Sequence, residues 1–169
     1  MKKPWLVLIA LALTSLSFAQ NIKTEELSEV TVHATNYKYL NSMNTREVSS
    51  VPVELLVQKV ASFDLKNSEF YQDDYDLYHI TFYIPEGKIL AAYDKEGKLL
   101  RTAERFRDIN LPTSVKKTVS DTYPGWKITK DIYLVTYNNE KGANKRYKLK
   151  LEKGKKTLRV KIDETGRIL

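Results

Sequence analysis

Asp94-Lys95-Glu96-Gly97-Lys98-Leu99-Leu100 returns with altered residues as Asp163-Glu164-Thr165-Gly166-Arg167-Ile168-Leu169, and each copy lies downstream of an apolar-Pro dipeptide, Val51-Pro52 or Leu111-Pro112. The chain reads as a duplicated unit. In both copies the leading Asp can accept bonds from backbone amides ahead of it and the Gly can take a positive φ, so the motif is a turn between strands. It fixes architecture and names no reaction.

Working outward from the first turn, residues 52–63 place Val53, Leu56, Val57, Val60, Ala61 and Phe63 at three- and four-residue steps, with Pro52 suited to a first helical turn. Residues 66–76 form an acidic, tyrosine-bearing connection. Ile80, Phe82 and Ile84 then alternate with Thr81 and Tyr83, which predicts a strand over 77–84. A turn at 85–87, a strand at 88–93, the Asp94 turn and a strand at 98–103 complete a meander. The second copy repeats the order. Pro112 opens a helix carrying Val115, Val119 and Tyr123, which ends at Pro124-Gly125. A strand at 126–137, a loop at 138–144 and a hairpin of 145–152 with 156–162 closed around Lys153-Gly154 follow. The expected fold is α+β: two tandem units of one helix followed by an antiparallel β-meander, over 51–110 and 111–169, with the helices on one face of the sheet.

The start of the chain reads as an export signal. Lys2 and Lys3 precede an apolar stretch at 5–13 and a small-x-small site at Ser17-Phe18-Ala19. The uncharged run is shorter than the roughly 20 residues of a membrane span. The mature chain is expected to begin near Gln20 and to be periplasmic or secreted. Residues 20–50 read as a polar, mostly extended arm with a short strand in Val30-Thr31-Val32-His33-Ala34. There is no cysteine, which excludes a lipidated cysteine, disulfides, thiol catalysis and zinc-thiolate sites. The net charge is +7, of which Lys2 and Lys3 supply two. In an exported chain such a balance favours acidic proteins, glycans or anionic lipid headgroups as partners, or serves solubility alone, and does not favour nucleic acid; another exported or envelope protein with an acidic surface is the expected partner.

At residues 87–102, and from Leu111-Pro112 through Val115 to Tyr123-Pro124-Gly125-Trp126, the chain resembles the PepSY-like family of exported bacterial proteins. That family looks like β-lactamase-inhibitor protein in fold. The resemblance spans roughly residues 50–169. It implies tandem helix-plus-sheet units and a binding or inhibitory role outside the cytoplasm, and it brings no catalytic motif with it.

The largest charge feature runs from Lys141 to Lys161, with ten basic residues and one acid, Glu152. Strand alternation puts Tyr147, Leu149, Leu158, Val160 and Ile162 on one face and Arg146, Lys148, Lys150, Arg159 and Lys161 on the other. A two-residue Lys153-Gly154 turn would set Lys148 opposite Arg159 and Arg146 opposite Lys161. These five residues are the expected binding surface for an acidic partner, against the plainer reading of a solvated face that discourages edge pairing. Glu69, Asp73, Asp74 and Asp76, beside His79, offer an alternative role as an envelope ligand or metal-ion sensor. They lack the alternating ligands and bend glycine of a calcium loop. His33 and His79 stand in no hydrolase or metalloprotease motif, and no phosphate-binding glycine loop occurs. No catalytic residue, cofactor or metal is therefore expected. The eleven tyrosines suit half-buried sheet faces first and recognition surfaces second.

Overall fold

The computed structural model describes residues 36–43 and 51–169. The export signal and the strand expected at Val30-Thr31-Val32-His33-Ala34 lie outside them. The elements are α1 (Tyr37–Met43), α2 (Val51–Ala61), β1 (Leu77–Ile84), β2 (Gly87–Asp94), β3 (Leu99–Arg107), α3 (Thr113–Thr122), β4 (Lys127–Asn138), β5 (Gly142–Lys153) and β6 (Lys156–Asp163). The strands form one sheet in the order β1-β2-β3-β4-β5-β6, antiparallel throughout. Each unit is a helix followed by an antiparallel meander. The pairing of β3 with β4, from Arg101 opposite Asn138 to Arg107 opposite Ile132, fuses the two meanders.

Pleating sorts the residues of this sheet onto two faces. The register carries one apolar row from Phe106 to Tyr133, Tyr147 and Ile162 across β3 to β6. A second row joins Phe82, Ile89, Glu104, Val135 and Lys145. Both rows face the helices. Their side chains share one core with Val53, Leu56, Val57, Val60 and Ala61 of α2 and Val115 and Val119 of α3. The tyrosines follow this sorting: the Tyr133 and Tyr147 rings stack at 5.1 Å, and Phe106 stacks on Tyr133 at 6.3 Å.

The two Asp-x-x-Gly turns share one hydrogen-bond pattern. Asp94 Oδ1 accepts from Glu96 N and Lys98 N at 3.1 and 2.8 Å, and Gly97 N donates to Asp94 O. Asp163 Oδ1 accepts from Thr165 N and Arg167 N, both at 3.0 Å, and Gly166 N donates to Asp163 O. Gly97 and Gly166 have φ of 83° and 91°. In each copy the glycine carbonyl also accepts a side-chain donor from a helical element. Asn36 Nδ2, just before α1, reaches Gly97 O at 3.4 Å, and Thr118 Oγ1 of α3 reaches Gly166 O at 2.7 Å.

Four expectations need correction. The stretch read as an extended arm contains a helix, α1, with Tyr39 and Met43 one turn apart and fully buried. Its polar composition hid an i, i+4 apolar pair. The hairpin turn is Gly154-Lys155, so Lys148 faces Lys161, Lys150 faces Arg159, and Arg146 faces Asp163. Gly154, at φ 59°, takes the first central position, where a type II′ turn needs glycine. The shift is two residues, so the assignment of residues to faces is unchanged. Strand β5 begins at Gly142, leaving a connection shorter than 138–144, and β3 runs on past Ala103 to Arg107.

Helix α1 is held over the sheet by a buried acid. The Tyr39 hydroxyl donates to Glu104 Oε1 at 2.7 Å, Thr102 Oγ1 donates to the same oxygen at 2.6 Å, and the Tyr39 ring meets Tyr137 edge-on. Glu104 Oε2 has no hydrogen-bond partner among the described residues. Burial pushes this carboxyl up to about 7, against the pull of Thr102, Tyr39 and the Lys145 charge.

Two outcomes follow. Because folding raises the Glu104 pKa above its ordinary 4.5, the folded state holds the proton more tightly. The contribution of Glu104 to stability is then fully present below about pH 4.5 and is lost as pH rises through about 7, by about 3 kcal/mol at most. Glu104→Gln should flatten this slope in urea titrations at several pH values, and an unchanged slope would assign it to another group. Gly166→Ala should cost more than the roughly 1–2 kcal/mol of a left-handed alanine, because its Cβ would lie 2.8 Å from Thr118 Oγ1 and 3.0 Å from Ser114 O. Gly142→Ala, at φ 78° with nothing within 4 Å, should show the backbone cost alone.

Candidate binding face

With the helices on one face, the opposite face of the sheet carries the cations. Arg146, Lys148 and Lys150 alternate along β5, and Arg159 and Lys161 along β6, as the sequence indicated. The structure brings all five together and extends them across the seam. Lys130 lies opposite Lys150, Lys88 lies opposite Arg105, and Arg101 and Arg107 share the alternation of β3. Reading β3 as ending at Ala103 hid Arg105 and Arg107. Their spacing of two from Arg101 is the signal that could have found them.

Rows of like charge result. Lys148 sits directly opposite Lys161, and Lys130, Lys150 and Arg159 form the next row. Lys148, Arg159 and Lys161 are exposed, and none of them forms an ion pair among the described residues. The two acids of the β5–β6 hairpin are engaged locally. Glu152 pairs with Lys150 at 2.5 Å, and that bond holds its carboxyl below the usual range. Asp163 is held down by bonds from Thr165 and by the Arg167 amide and guanidinium.

Two neighbouring depressions indent the face and share Arg105, Lys130 and Ile132. The one of about 630 Å³ lies toward the β1–β2 turn and includes Glu86, Asp108 and Asp131, so its charge is mixed. The other, about 580 Å³, is lined by Arg105, Lys130, Ile132, Lys148, Leu149, Lys150, Arg159, Val160 and Lys161. No carboxylate lines it. Of its apolar residues only Ile132 alternates onto this face, since Leu149 and Val160 turn their side chains into the core, and a cationic rim of this kind suits an anionic group.

The acidic connection offers no comparable arrangement. Glu69, Asp73, Asp74 and Asp76 are all exposed, and Asp76 lies 3.5 Å from Lys95. Among the described residues no group of three or more His, Cys, Asp or Glu is placed to hold a metal ion. His79 Nε2 is 3.4 Å from Arg101 Nη2, and His33 lies outside the described residues. No helix among the described residues is long and apolar enough to cross a membrane.

No protein-family model matches this chain, and no curated protein does. Among solved structures it is similar to a BLIP-like protein from Bacteroides fragilis. The identity is 14%, the alignment covers 79% of this chain and 82% of that one, and the TM-score is 0.33. The likeness is distant, and the fold and face described above rest on this chain's own geometry.

The opposed cations make a measurable prediction. Lys161→Glu would replace one repulsive pair with an attractive one across from Lys148 and should stabilise the fold by roughly 0.2–1 kcal/mol. The gain should shrink in molar salt, where exposed charges are screened. Equal stability at low and high salt would show that the two side chains do not interact.

Proposed function

We propose that this protein is an exported, non-catalytic binding module that recognises an acidic surface of another exported or envelope protein through the open face of its sheet. The observation that carries the reading is the depression bounded by Lys130, Lys148, Lys150, Arg159 and Lys161, which no carboxylate lines. Like charges set opposite one another are mildly unfavourable in the free protein, and an incoming carboxylate relieves them while adding electrostatic steering. Export rests on the signal read in residues 1–19. The PepSY-like resemblance points to the same class of role.

Capture of a stoichiometric acidic protein from the exported fraction, with affinity falling as salt rises, is the expected result. Replacing Lys148, Lys150, Arg159 and Lys161 together by Gln should weaken that complex at least tenfold, about 1.4 kcal/mol, and flatten its salt dependence. Unchanged affinity and salt response in this variant would overturn the assignment of the face.

A further inference from the structure

The two edges of the sheet are built differently. The β6 edge carries Lys156, Arg159 and Lys161 along its length, and the chain end folds back on it, with Ile168 bridging Ile162 and Leu169 N donating to Lys161 O. Charged side chains and a covering segment are the usual means of keeping an edge from pairing. Strand β1, Leu-Tyr-His-Ile-Thr-Phe-Tyr-Ile over Leu77–Ile84, has neither among the described residues. It contains no Lys, Arg, Asp, Glu or Pro and pairs with β2 without a bulge from Leu77 to Ile84. Among the described residues no backbone hydrogen bond reaches its outer side. Large exposed apolar side chains gather here as well: Phe70, Tyr75, Leu77 and Tyr83, the last 69% exposed.

We propose that β1 pairs antiparallel with β1 of a second copy of this chain, joining two sheets into one. A two-fold axis normal to the sheet preserves its faces, and the register that sets Ile80 against Ile80 also sets Leu77 of each copy opposite Tyr83 of the other. That register places Tyr83 at the rim of a depression of about 390 Å³ lined by Phe70, Tyr75, Leu77, Tyr78 and Ile80. Charge selects this edge for self-association. The uncharged strand brings no like charges together, whereas the cationic β5 lies four strands away, about 19 Å at the usual strand spacing. Nine spacings then separate the two β5 strands, several times the roughly 8 Å screening length at physiological salt.

Sedimentation equilibrium of the chain from about 1 µM to about 1 mM should show a reversible dimer. Thr81→Lys, which sets a lysine close to the axis in each copy, should raise its dissociation constant at least tenfold. Thr157→Lys makes the same charge change on β6 and should leave it unaltered. A monomer throughout, or a dimer indifferent to Thr81→Lys, overturns the proposal. Should Thr81→Lys lose its fold by circular dichroism, amide exchange of the unaltered chain decides. Protection of β1 that grows with concentration supports pairing between copies, and protection independent of concentration overturns it by assigning the edge to the chain's own residues.

Discussion

The ladder between β3 and β4 is the constraint from which the rest of the structure follows. Each meander alone is a three-stranded sheet with one helix, close to the minimum for independent stability. Joined through Arg101–Arg107 and Ile132–Asn138, they share a single core and a single set of faces. The seam is itself part of that core, since the Phe106–Tyr133–Tyr147 stack crosses it. Once both helices occupy one side, every cation that alternates with a core residue must emerge on the other. The breadth of the basic face is therefore a result of fusing the sheets, and neither unit alone would present it.

Much of this was legible in the residues. The repeated Asp-x-x-Gly turns, the two apolar-Pro helix starts and the period-two alternation of 77–84 specify local structure by local rules, and the structure follows them. Strand alternation alone puts the five cations of the β5–β6 hairpin on the observed face, although the expected partner register differs by two residues. An even slip moves a strand along its neighbour without turning it over. What the sequence concealed depends on contacts between distant residues. Helix α1 is short and polar, and Tyr39 has its main partner 65 residues away in Glu104. The cations of β2 and β3 join the hairpin only because the seam aligns them, and nothing in their local sequence states that alignment.

The two turn motifs also show how a duplicated unit diverges while keeping its joints. Both glycine carbonyls are tied to a helical element, but the donor in one copy is Asn36, ahead of α1, and in the other Thr118, inside α3. Asn36 does more than its counterpart. It also donates to Ala61 O and accepts from Leu99 N, so one amide side chain links the end of α2, the turn and the start of β3. The buried polar groups of the first unit thus belong to the attachment of α1, while those of the second serve the turn.

The strict meander bears on how the chain acquires its structure as it is made. Every strand pairs with its neighbour in sequence, so loop-closure entropy is low at each step and hairpins can zip in succession from either end. Helix α1 is the exception. It rests against α2 and β5 and bonds Glu104 of β3, so its site is complete only after residues well beyond it have paired. The first described helix to emerge is then the last to settle, and a carboxyl acid waits beneath it until it does.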